Sequence, residues 1–469
     1  MLQNAQNNAN QDRHMFAKKM SERESQRAYR QAIRELVSRF HGEILFPGDP
    51  DYESARVVWN GVGNRHPALI ARPAGVEDVI SSVNFAREQG VEVAVRSGGH
   101  SMPGYSTIDN GMVIDLSHMK SITFDPERRI ARLEPGLTWG EVAGTLQPYG
   151  LALTSGDTAT VGVGGLLLGG GIGWMVRKYG LTIDHLKAVE LVTAEGRLLR
   201  ASAGENAELF WGLRGGGGNF GVVTAYEVSL HPAGMVIGGA VIYDAADAEG
   251  ILKAYARFAE AAPDELTTIV NFMAAPPAPF IPPEKQGMPV LVIMVCYTGD
   301  LAEGERVVAP LRFLGTPIAD IISPMPYPAM FAMTEEASIL GRQHTVRSLF
   351  MRTLSDDAIH TMVREAAAVV SPDTLVQVRV LGGAISRVPA TATAFAHRDK
   401  QAMVMIASSV PVSADAELSR ARAERVWQAM RPYADGVYVN FLADEGDRRI
   451  HEAYPPATYA RLAALKKLY

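Results

Sequence analysis

Three glycine-rich segments between residues 96 and 221 constrain this chain more than any other feature. They are residues 96–101, the apolar run 160–174, and the run 214–221 with its four consecutive glycines. Glycine inside a helix or strand costs about 0.5–1 kcal/mol relative to alanine. Its concentration therefore indicates backbone that lies closely against another backbone or a ligand. A flexible linker is the alternative for run 160–174, but such linkers are rich in serine, whereas this run is apolar.

Composition is that of an ordinary globular protein with more than one domain. The chain has 469 residues, of which 47% are hydrophobic and 20% charged. Its net charge of −6 comes from dispersed acids and bases, which argues against a nucleic-acid partner or a polybasic membrane patch. The single cysteine, Cys296, cannot form an intramolecular disulfide, and the histidines show no paired ligand spacing, so we expect no metal.

Sequence patterns also bear on where the protein resides. The polar N-terminus lacks the apolar core of a signal peptide. No apolar run approaches the roughly 20 residues needed to span a bilayer. We therefore expect a cytoplasmic protein without a membrane partner.

Hydrophobic periodicity divides the chain into four parts and predicts an α+β fold. Residues 1–28 form a polar extension, and 29–233 an α/β region with its core at about 64–233, beginning with an amphipathic helix over residues 25–40. Residues 234–410 alternate longer strands with helices, which predicts a large antiparallel sheet backed by helices on one face. Residues 411–469 form a C-terminal segment.

The first glycine segment follows a strand. Val91, Val93 and Val95 alternate with Glu92 and Ala94, which predicts a half-buried strand. The strand runs into the sequence RSGGHS, where glycine amides could approach an anion such as a pyrophosphate and Arg96 would supply positive charge. A tight glycine turn with a surface histidine is the alternative. The pattern is not the GxGxxG motif of a Rossmann fold.

Taken together, the three segments carry a resemblance. The sequences RSGGHS, TVGVGG…GGGIGW…KYGL and LFWGLRGGGGNFGVV resemble the FAD-linked oxidases of the berberine bridge enzyme type, within the vanillyl-alcohol oxidase superfamily. The match covers about residues 60–232, and a weaker match covers Tyr438–Asn440 and residues 459–466. This resemblance implies a two-lobed PCMH-type FAD-binding domain, a substrate domain at 234–410, and a C-terminal segment that returns to line the active site.

The resemblance also implies a covalent flavin. In this family the histidine of RSGGHS attaches to the 8α-methyl of the flavin, so His100 is the expected link, and a neutral imidazole is a competent nucleophile. The segment 96–104 would bind the pyrophosphate, 160–174 would line the ring and ADP portion, and the 222–223 backbone would cover the adenine side. The residues implied to bind FAD are Arg96, Ser97, Gly98, Gly99, His100, Ser101, Gly104, Thr158, Val161, Gly162, Gly164, Gly165, Gly169, Gly170, Gly173, Val222, Val223 and Asn440.

One departure from the family narrows this expectation. Members with a second flavin link carry a cysteine in G-x-C-x-x-V-G, and here the segment 156–162 places Thr158 at that position. Because Cys296 lies elsewhere, a 6-S-cysteinyl bond cannot form. We expect FAD held covalently through His100 only, or noncovalently if His100 does not react.

Catalytic and substrate residues follow less directly. Tyr438 matches the family's Tyr-x-Asn element and is a candidate base, although an unperturbed tyrosine pKa near 10 makes it a poor one. The alternative is a strand aromatic that packs in the core. Tyr105, next to the attachment loop, is a second catalytic candidate, or it packs on a neighbour. Gln377 and Arg379 share one face of a strand and are substrate contacts if that face meets the flavin; exposed polar strand residues are the favoured alternative.

The function predicted from the resemblance is oxidation of a small organic substrate. Hydride passes from a C–H beside a hydroxyl or amine to flavin N5, and O2 is then reduced to H2O2. A flavin dehydrogenase with another electron acceptor and a non-catalytic flavin-binding protein are the alternatives.

Overall fold

A computed structural model describes residues 26–61 and 64–469, without the side chains of residues 336–338. Most of the predicted extension 1–28 lies outside the described residues. The chain is helical over residues 26–39 (α1), which agrees with the predicted amphipathic helix.

The first sheet is small and mostly parallel. It runs in the order β1-β2-β4-β3, with β2, β4 and β3 parallel and β1 antiparallel to β2. The helical spacing of Val79, Ile80, Val83 and Ala86 predicts a helix over residues 76–89. Helix α3 spans these residues and ends at Gly90, whose φ of 64° suits glycine. The elements of this region are β1 (Glu43–Leu45), α2 (Tyr52–Arg56), β2 (Leu69–Arg72), α3 (Val76–Gln89), β3 (Val93–Arg96) and β4 (Met112–Asp115).

The predicted alternation in β3 is present, but its faces are not those of an ordinary half-buried strand. Val93 and Val95 are 38% and 39% exposed and line a large cavity, whereas Ala94 is buried. β3 lies at the edge of the sheet, next to the cavity. Its small residue Ala94 packs inward, and the two valines form part of the cavity wall.

The second sheet is antiparallel and runs in the order β5-β6-β10-β8-β9. Thr138 and Glu141, three residues apart, have the spacing that predicts a capping box at the start of a helix. The box is present at the start of α4, where the Thr138 side chain accepts from the Glu141 N–H and the Glu141 carboxylate accepts from the Thr138 N–H. A short ladder joins β7 to β11. The elements are β5 (Ile122–Asp125), β6 (Ile130–Leu133), α4 (Trp139–Leu146), β7 (Leu151–Ala152), α5 (Val163–Gly169), α6 (Val176–Tyr179), β8 (Leu186–Val192), β9 (Leu198–Ser202), α7 (Ala207–Leu213), β10 (Val222–Ser229) and β11 (His231–Pro232).

The second glycine segment is not a loop throughout. Residues 163–169 form helix α5, which contains Gly164 and Gly165 and ends at Gly169. The glycines therefore serve close packing of a helix as well as of loops. Beyond the helix, Gly170 and Gly171 have φ values of 153° and 86°, which side chains other than glycine rarely adopt.

The third sheet is broad, antiparallel and backed by helices on one face, as predicted. It runs in the order β15-β12-β14-β13-β18-β19-β17, and β16 also pairs with β12. Helices α8, α10 and α12 share a buried core with its strands. The elements are β12 (Met235–Asp244), α8 (Ala248–Ala261), β13 (Leu266–Ala274), β14 (Pro289–Tyr297), α9 (Leu301–Val308), β15 (Pro317–Asp320), β16 (Ser323–Pro326), β17 (Arg342–Met351), α10 (Asp356–Val369), β18 (Thr374–Val380), α11 (Ala384–Arg387), β19 (Ala402–Pro411), α12 (Glu417–Met430), α13 (Asp447–Ala453) and α14 (Pro456–Lys466).

The α+β class is confirmed, whereas the predicted domain boundaries remain predictions. One buried apolar cluster joins Trp174 and Tyr226 of the flavin region to Met294 of the broad sheet and to Tyr438. The core is thus continuous across residue 233. None of the helices in the described residues has the length and apolar character that crossing a membrane requires.

A histidine pair beside the β7–β11 ladder predicts acid sensitivity. The Nδ1 of His185 and the Nε2 of His231 are 2.9 Å apart. Burial lowers the pKa of His185 to about 4. Burial first, and then the neighbouring His185, lowers the pKa of His231 to about 3. As the pH falls below 6.5, both histidines take up protons in the unfolded chain but stay neutral in the folded chain. The free energy of unfolding therefore decreases as the pH falls.

We expect the midpoint of thermal unfolding to drop between pH 7.5 and 5.0, and to drop less in a His185→Gln, His231→Gln variant. The control is His118→Gln, at an exposed histidine, which should keep the wild-type pH dependence. An equal drop in the double variant and the wild type would contradict the role of the pair.

Candidate active site

The three glycine segments meet around one cavity of about 1410 Å³. Its walls come from the two smaller sheets, the broad sheet and the C-terminal segment. The predicted site residues that line it are Ser97, Gly98, Gly99, His100, Ser101, Tyr105, Thr158, Val161, Gly164, Gly165, Val223, Arg379, Tyr438 and Asn440. The other predicted site residues lie behind this wall: Arg96, Gly104, Gly162, Gly169, Gly170, Gly173, Val222 and Gln377.

Two glycine segments cross at Gly98 and Gly162. A Cβ built on Gly98 would lie 2.3 Å from the Gly162 nitrogen, and one built on Gly162 would lie 2.2 Å from the Gly98 nitrogen. The Ser97 hydroxyl joins the same crossing, since it accepts from the Gly164 N–H at 3.2 Å and donates to the Pro135 carbonyl. Gly162 therefore serves the site from behind the wall, by allowing the loop of His100 to approach α5.

Arg96 is directed away from the cavity. Its guanidinium donates to the Ala55 carbonyl, and its Nε lies 3.9 Å from the Asp115 carboxylate. The positive charge that the sequence suggested for a pyrophosphate is therefore used to hold the end of β3. The backbone amides of the glycine segment, which Arg96 does not engage by its side chain, could still bind an anion.

His100 lies in an aromatic stack that the sequence did not reveal. Its ring stacks on Trp59 at a centroid distance of 5.2 Å, and Trp59 stacks on His344 of β17 at 3.8 Å. The Nε2 of His100 lies 3.0 Å from the Thr160 hydroxyl. Burial, and then His344, lowers the pKa of His100 to about 4. The ring is therefore neutral at pH 7. The alternative of a surface histidine in a tight glycine turn does not describe His100.

Tyr438 is buried where the C-terminal segment meets the end of α5. Its hydroxyl oxygen accepts from the Gly171 N–H at 2.7 Å and from Asn440 Nδ2 at 2.9 Å. Burial raises the pKa of Tyr438 to about 12, although those two donors and Arg379 act in the opposite direction. Tyr438 does not lie in a strand; it precedes a 3-10 turn at Val439–Phe441 and also lines the cavity.

Tyr105 lies at the mouth of the same cavity. It is 62% exposed, and its backbone N–H donates to the Ser101 hydroxyl at 3.1 Å. It follows the attachment loop into solvent and does not pack on the core. Tyr105 is thus a less enclosed candidate than Tyr438, and a catalytic role for it stays a prediction.

Arg379 and Gln377 do not lie on a solvated face, so the favoured alternative for them is wrong. Arg379 is 5% exposed and Gln377 is 3% exposed, because this face of β18 packs over the cavity while the valines between them face the helices. Arg379 donates from Nε to Gln377 Oε1 at 2.6 Å and pairs through Nη2 with Asp157 Oδ2 at 2.7 Å. Gln377 in turn donates to Asn271 at 2.8 Å.

Sequence reasoning missed Trp59, His344, Asp157 and Asn271. Trp59 and His344 lie outside the glycine segments in the sequence, so no local pattern connects them with His100. Asp157 had a signal, since it precedes Thr158 in the segment compared with the family's cysteine motif. No signal within β13 separates Asn271 from an ordinary polar strand residue.

These residues fit FAD. Glycine backbone suits a flat ring and a pyrophosphate, and Gly98, Gly99, Gly164 and Gly165 supply it around one cavity. Val93, Val95 and Val223 add apolar wall. His100 and Thr158 would face the flavin, and Val223 and the run 216–221 would lie along the rest of the molecule.

Comparisons with known proteins agree with this reading. A family model described as an FAD binding domain matches residues 67–202. The (R)-6-hydroxynicotine oxidase of Paenarthrobacter nicotinovorans is 31% identical over 91% of this chain and 94% of its own length. The crystal structure of 6-hydroxy-D-nicotine oxidase from Arthrobacter nicotinovorans superposes with a TM-score of 0.81 at 29% identity, over 92% of this chain and 95% of that one.

A third comparison concerns the fold alone. The glucooligosaccharide oxidase of Acremonium strictum, whose FAD is linked as a 6-S-cysteinyl, 8α-N1-histidyl derivative, has a TM-score of 0.79 at 23% identity, covering 92% and 95% of the two chains.

The chain has an FAD-binding domain of the PCMH type and is an FAD-linked oxidoreductase. More narrowly, it shares its fold with a berberine-bridge-enzyme-like protein of Physcomitrella patens, at a TM-score of 0.82 and 23% identity. The fold class and the family resemblance read from the sequence are both confirmed.

The glycine crossing yields a prediction. We expect Gly98→Ala to destabilise the protein by about 1–3 kcal/mol and to lower its flavin content, because the new Cβ meets backbone that cannot move aside. Thermal unfolding and the flavin-to-protein absorbance ratio measure the two effects.

The matched control is Gly144→Ala in α4, where a Cβ meets nothing within 4 Å. That variant should keep its flavin and gain about 0.5–1 kcal/mol. Normal stability and flavin content in Gly98→Ala would show that the crossing is not as tight as described.

Proposed function

We propose that this protein is an oxidase that carries FAD covalently on His100 and oxidises a small organic alcohol or amine. The observation that carries the proposal is a half-buried His100 with its pKa lowered to about 4, set among glycine segments on the cavity wall. When bound, FAD supplies the chemistry of accepting a hydride from the substrate C–H and delivering the electrons to O2 as H2O2.

The surroundings of His100 support one attachment point. Thr160 contacts Nε2 at 3.0 Å, which leaves Nδ1 for a bond to the 8α carbon. A neutral ring keeps a lone pair for that bond. Stacking on Trp59 restricts the plane of the ring.

A second covalent bond has no donor in this chain. Thr158, at the position of the family's cysteine, lines the cavity and is 9% exposed, but its hydroxyl cannot form a thioether. Cys296 is fully buried in β14, where burial raises the pKa of its thiol.

Acid precipitation tests the attachment. We expect the yellow colour to stay with precipitated wild-type protein and to pass into the supernatant for His100→Ala. His118→Ala, at an exposed histidine outside the cavity, is the matched control and should behave like the wild type. Flavin released from the wild type would refute the covalent bond while leaving FAD binding intact.

Tyr438 is the proposed proton acceptor for the substrate hydroxyl or amine. Two N–H groups, from Gly171 and Asn440, point at its oxygen and would stabilise a phenolate. Since burial raises the pKa of Tyr438 to about 12, only a small fraction is ionised at pH 7. Lower pH removes the base, so turnover should rise with pH throughout the range below 12.

The corresponding test uses a substrate that bleaches the wild-type flavin. We expect Tyr438→Phe to keep its flavin but to slow flavin reduction by about 10²–10⁴-fold. The wild-type rate should rise about tenfold per pH unit between pH 7 and 10, and the variant should lose that slope.

Tyr105→Phe is the comparison variant, because it removes the exposed candidate hydroxyl. A pH slope retained in Tyr438→Phe and lost in Tyr105→Phe would transfer the role to Tyr105. Formation of H2O2 during wild-type turnover, measured with a peroxidase-coupled dye, tests the use of O2; flavin reduction without H2O2 would indicate a dehydrogenase.

A further inference from the structure

Arg379 has one donor that no other group of the described protein uses. Its Nη1 is buried and without a hydrogen-bond partner. The side chain as a whole is 6% exposed and lines the cavity. A buried guanidinium donor left unsatisfied costs roughly 1–3 kcal/mol or more, because it has lost its water. We propose that Arg379 Nη1 binds an uncharged oxygen of the substrate, and that the substrate is a neutral, mainly apolar molecule. This inference rests on the proposed function, since it names the substrate class of that site.

The position of Nη1 is fixed by the other contacts of the guanidinium. Nε is used by Gln377 at 2.6 Å, and Nη2 by Asp157 at 2.7 Å. The Phe441 ring lies 5.6 Å from the guanidinium carbon. Gln377 is itself held by Asn271, so it acts as a positioning residue and does not line the cavity. A planar group held at two edges presents its remaining N–H groups in one direction.

Charge decides between a neutral and an anionic partner. Asp157 is 7% exposed and already neutralises Arg379. A substrate carboxylate at Nη1 would bring a second negative charge close to Asp157, and the two would repel each other at low dielectric. A carbonyl, ether or hydroxyl oxygen accepts the same N–H without that repulsion.

The side chains around Arg379 indicate the chemical character of the rest of the substrate. Besides Arg379, the polar cavity-lining residues of the broad sheet lie toward one end of its strands; they are Arg342, His344, Thr374 and Ser409. Phe441 also lines the cavity. The cavity-lining side chains of the sheet that lie nearer to Arg379 in the strand register are apolar. They are Met273, Val346, Leu375, Met405 and Ala407. A sugar chain would leave its hydroxyls unpaired against such a wall, and each buried unpaired hydroxyl is costly. An aromatic or alicyclic molecule with one oxygen acceptor fits.

The test is ligand binding to the wild-type holoprotein, followed by changes in the flavin absorbance spectrum. Acetophenone carries one carbonyl on an apolar ring, ethylbenzene lacks the carbonyl, benzoate replaces it with an anion, and xylobiose is polyhydroxylated. We expect acetophenone to bind about tenfold more tightly than ethylbenzene, because one hydrogen bond to a charged group contributes about that much to affinity. Benzoate and xylobiose should bind more weakly than acetophenone.

Two variants connect this preference to Arg379. Arg379→Met with Asp157→Asn removes both charges together, so no uncompensated ion is buried, and acetophenone should then bind no more tightly than ethylbenzene. Asp157→Asn alone leaves Arg379 charged, and should shift the preference toward benzoate by at least tenfold. Thermal unfolding confirms that each variant folds; Asp157→Asn provides the test if the double variant does not.

The inference is overturned if wild-type protein prefers benzoate or xylobiose to acetophenone. It is also overturned if the double variant folds, retains flavin and keeps the acetophenone preference. Failure of the proposed function gives a different result. The wild-type protein would then contain no flavin to report binding, or would release its flavin on acid precipitation.

Discussion

Gly98 and Gly162 cross with less room between them than a methyl group needs, and the site is built outward from that contact. The crossing places the loop of His100 against the start of α5, and the other end of α5 reaches Tyr438 and Asn440. Gly169 continues the same constraint, since a Cβ there would lie 1.8 Å from the Asn440 side-chain oxygen. One helix of seven residues thus spaces the proposed attachment residue from the proposed base.

Burial is the main cause of the pKa shifts of three titratable side chains that line the cavity. It lowers the pKa of His100 and His344 to about 4 and raises the pKa of Tyr438 to about 12, so all three are neutral at pH 7. Arg379 and Asp157 bring opposite charges that cancel at 2.7 Å. Together these five groups carry no net charge at pH 7.

Two parts of the chain that are distant in sequence complete this site. Trp59 precedes the first glycine segment, and His344 belongs to the broad sheet, yet their rings stack 3.8 Å apart beside His100. The continuous apolar core that includes Trp174, Met294 and Tyr438 holds these parts together. Packing between the flavin region and the broad sheet, and not any local motif, sets the geometry of the cavity.

The sequence by itself determined the glycine segments, the capping box at Thr138, the helix 76–89, most strands of the broad sheet, and the family. These follow from local rules: glycine spacing, cap chemistry and the periodicities of 3.6 and 2. The tertiary structure decided which face of each strand meets the cavity, because alternation defines two faces without saying what covers them. Val93, Val95 and Arg379 show this, since each lines a cavity that other parts of the chain help to enclose. It also decided that Arg96 donates to the Ala55 carbonyl and that Asp157 pairs with Arg379, because contacts between residues far apart in the sequence leave no local pattern.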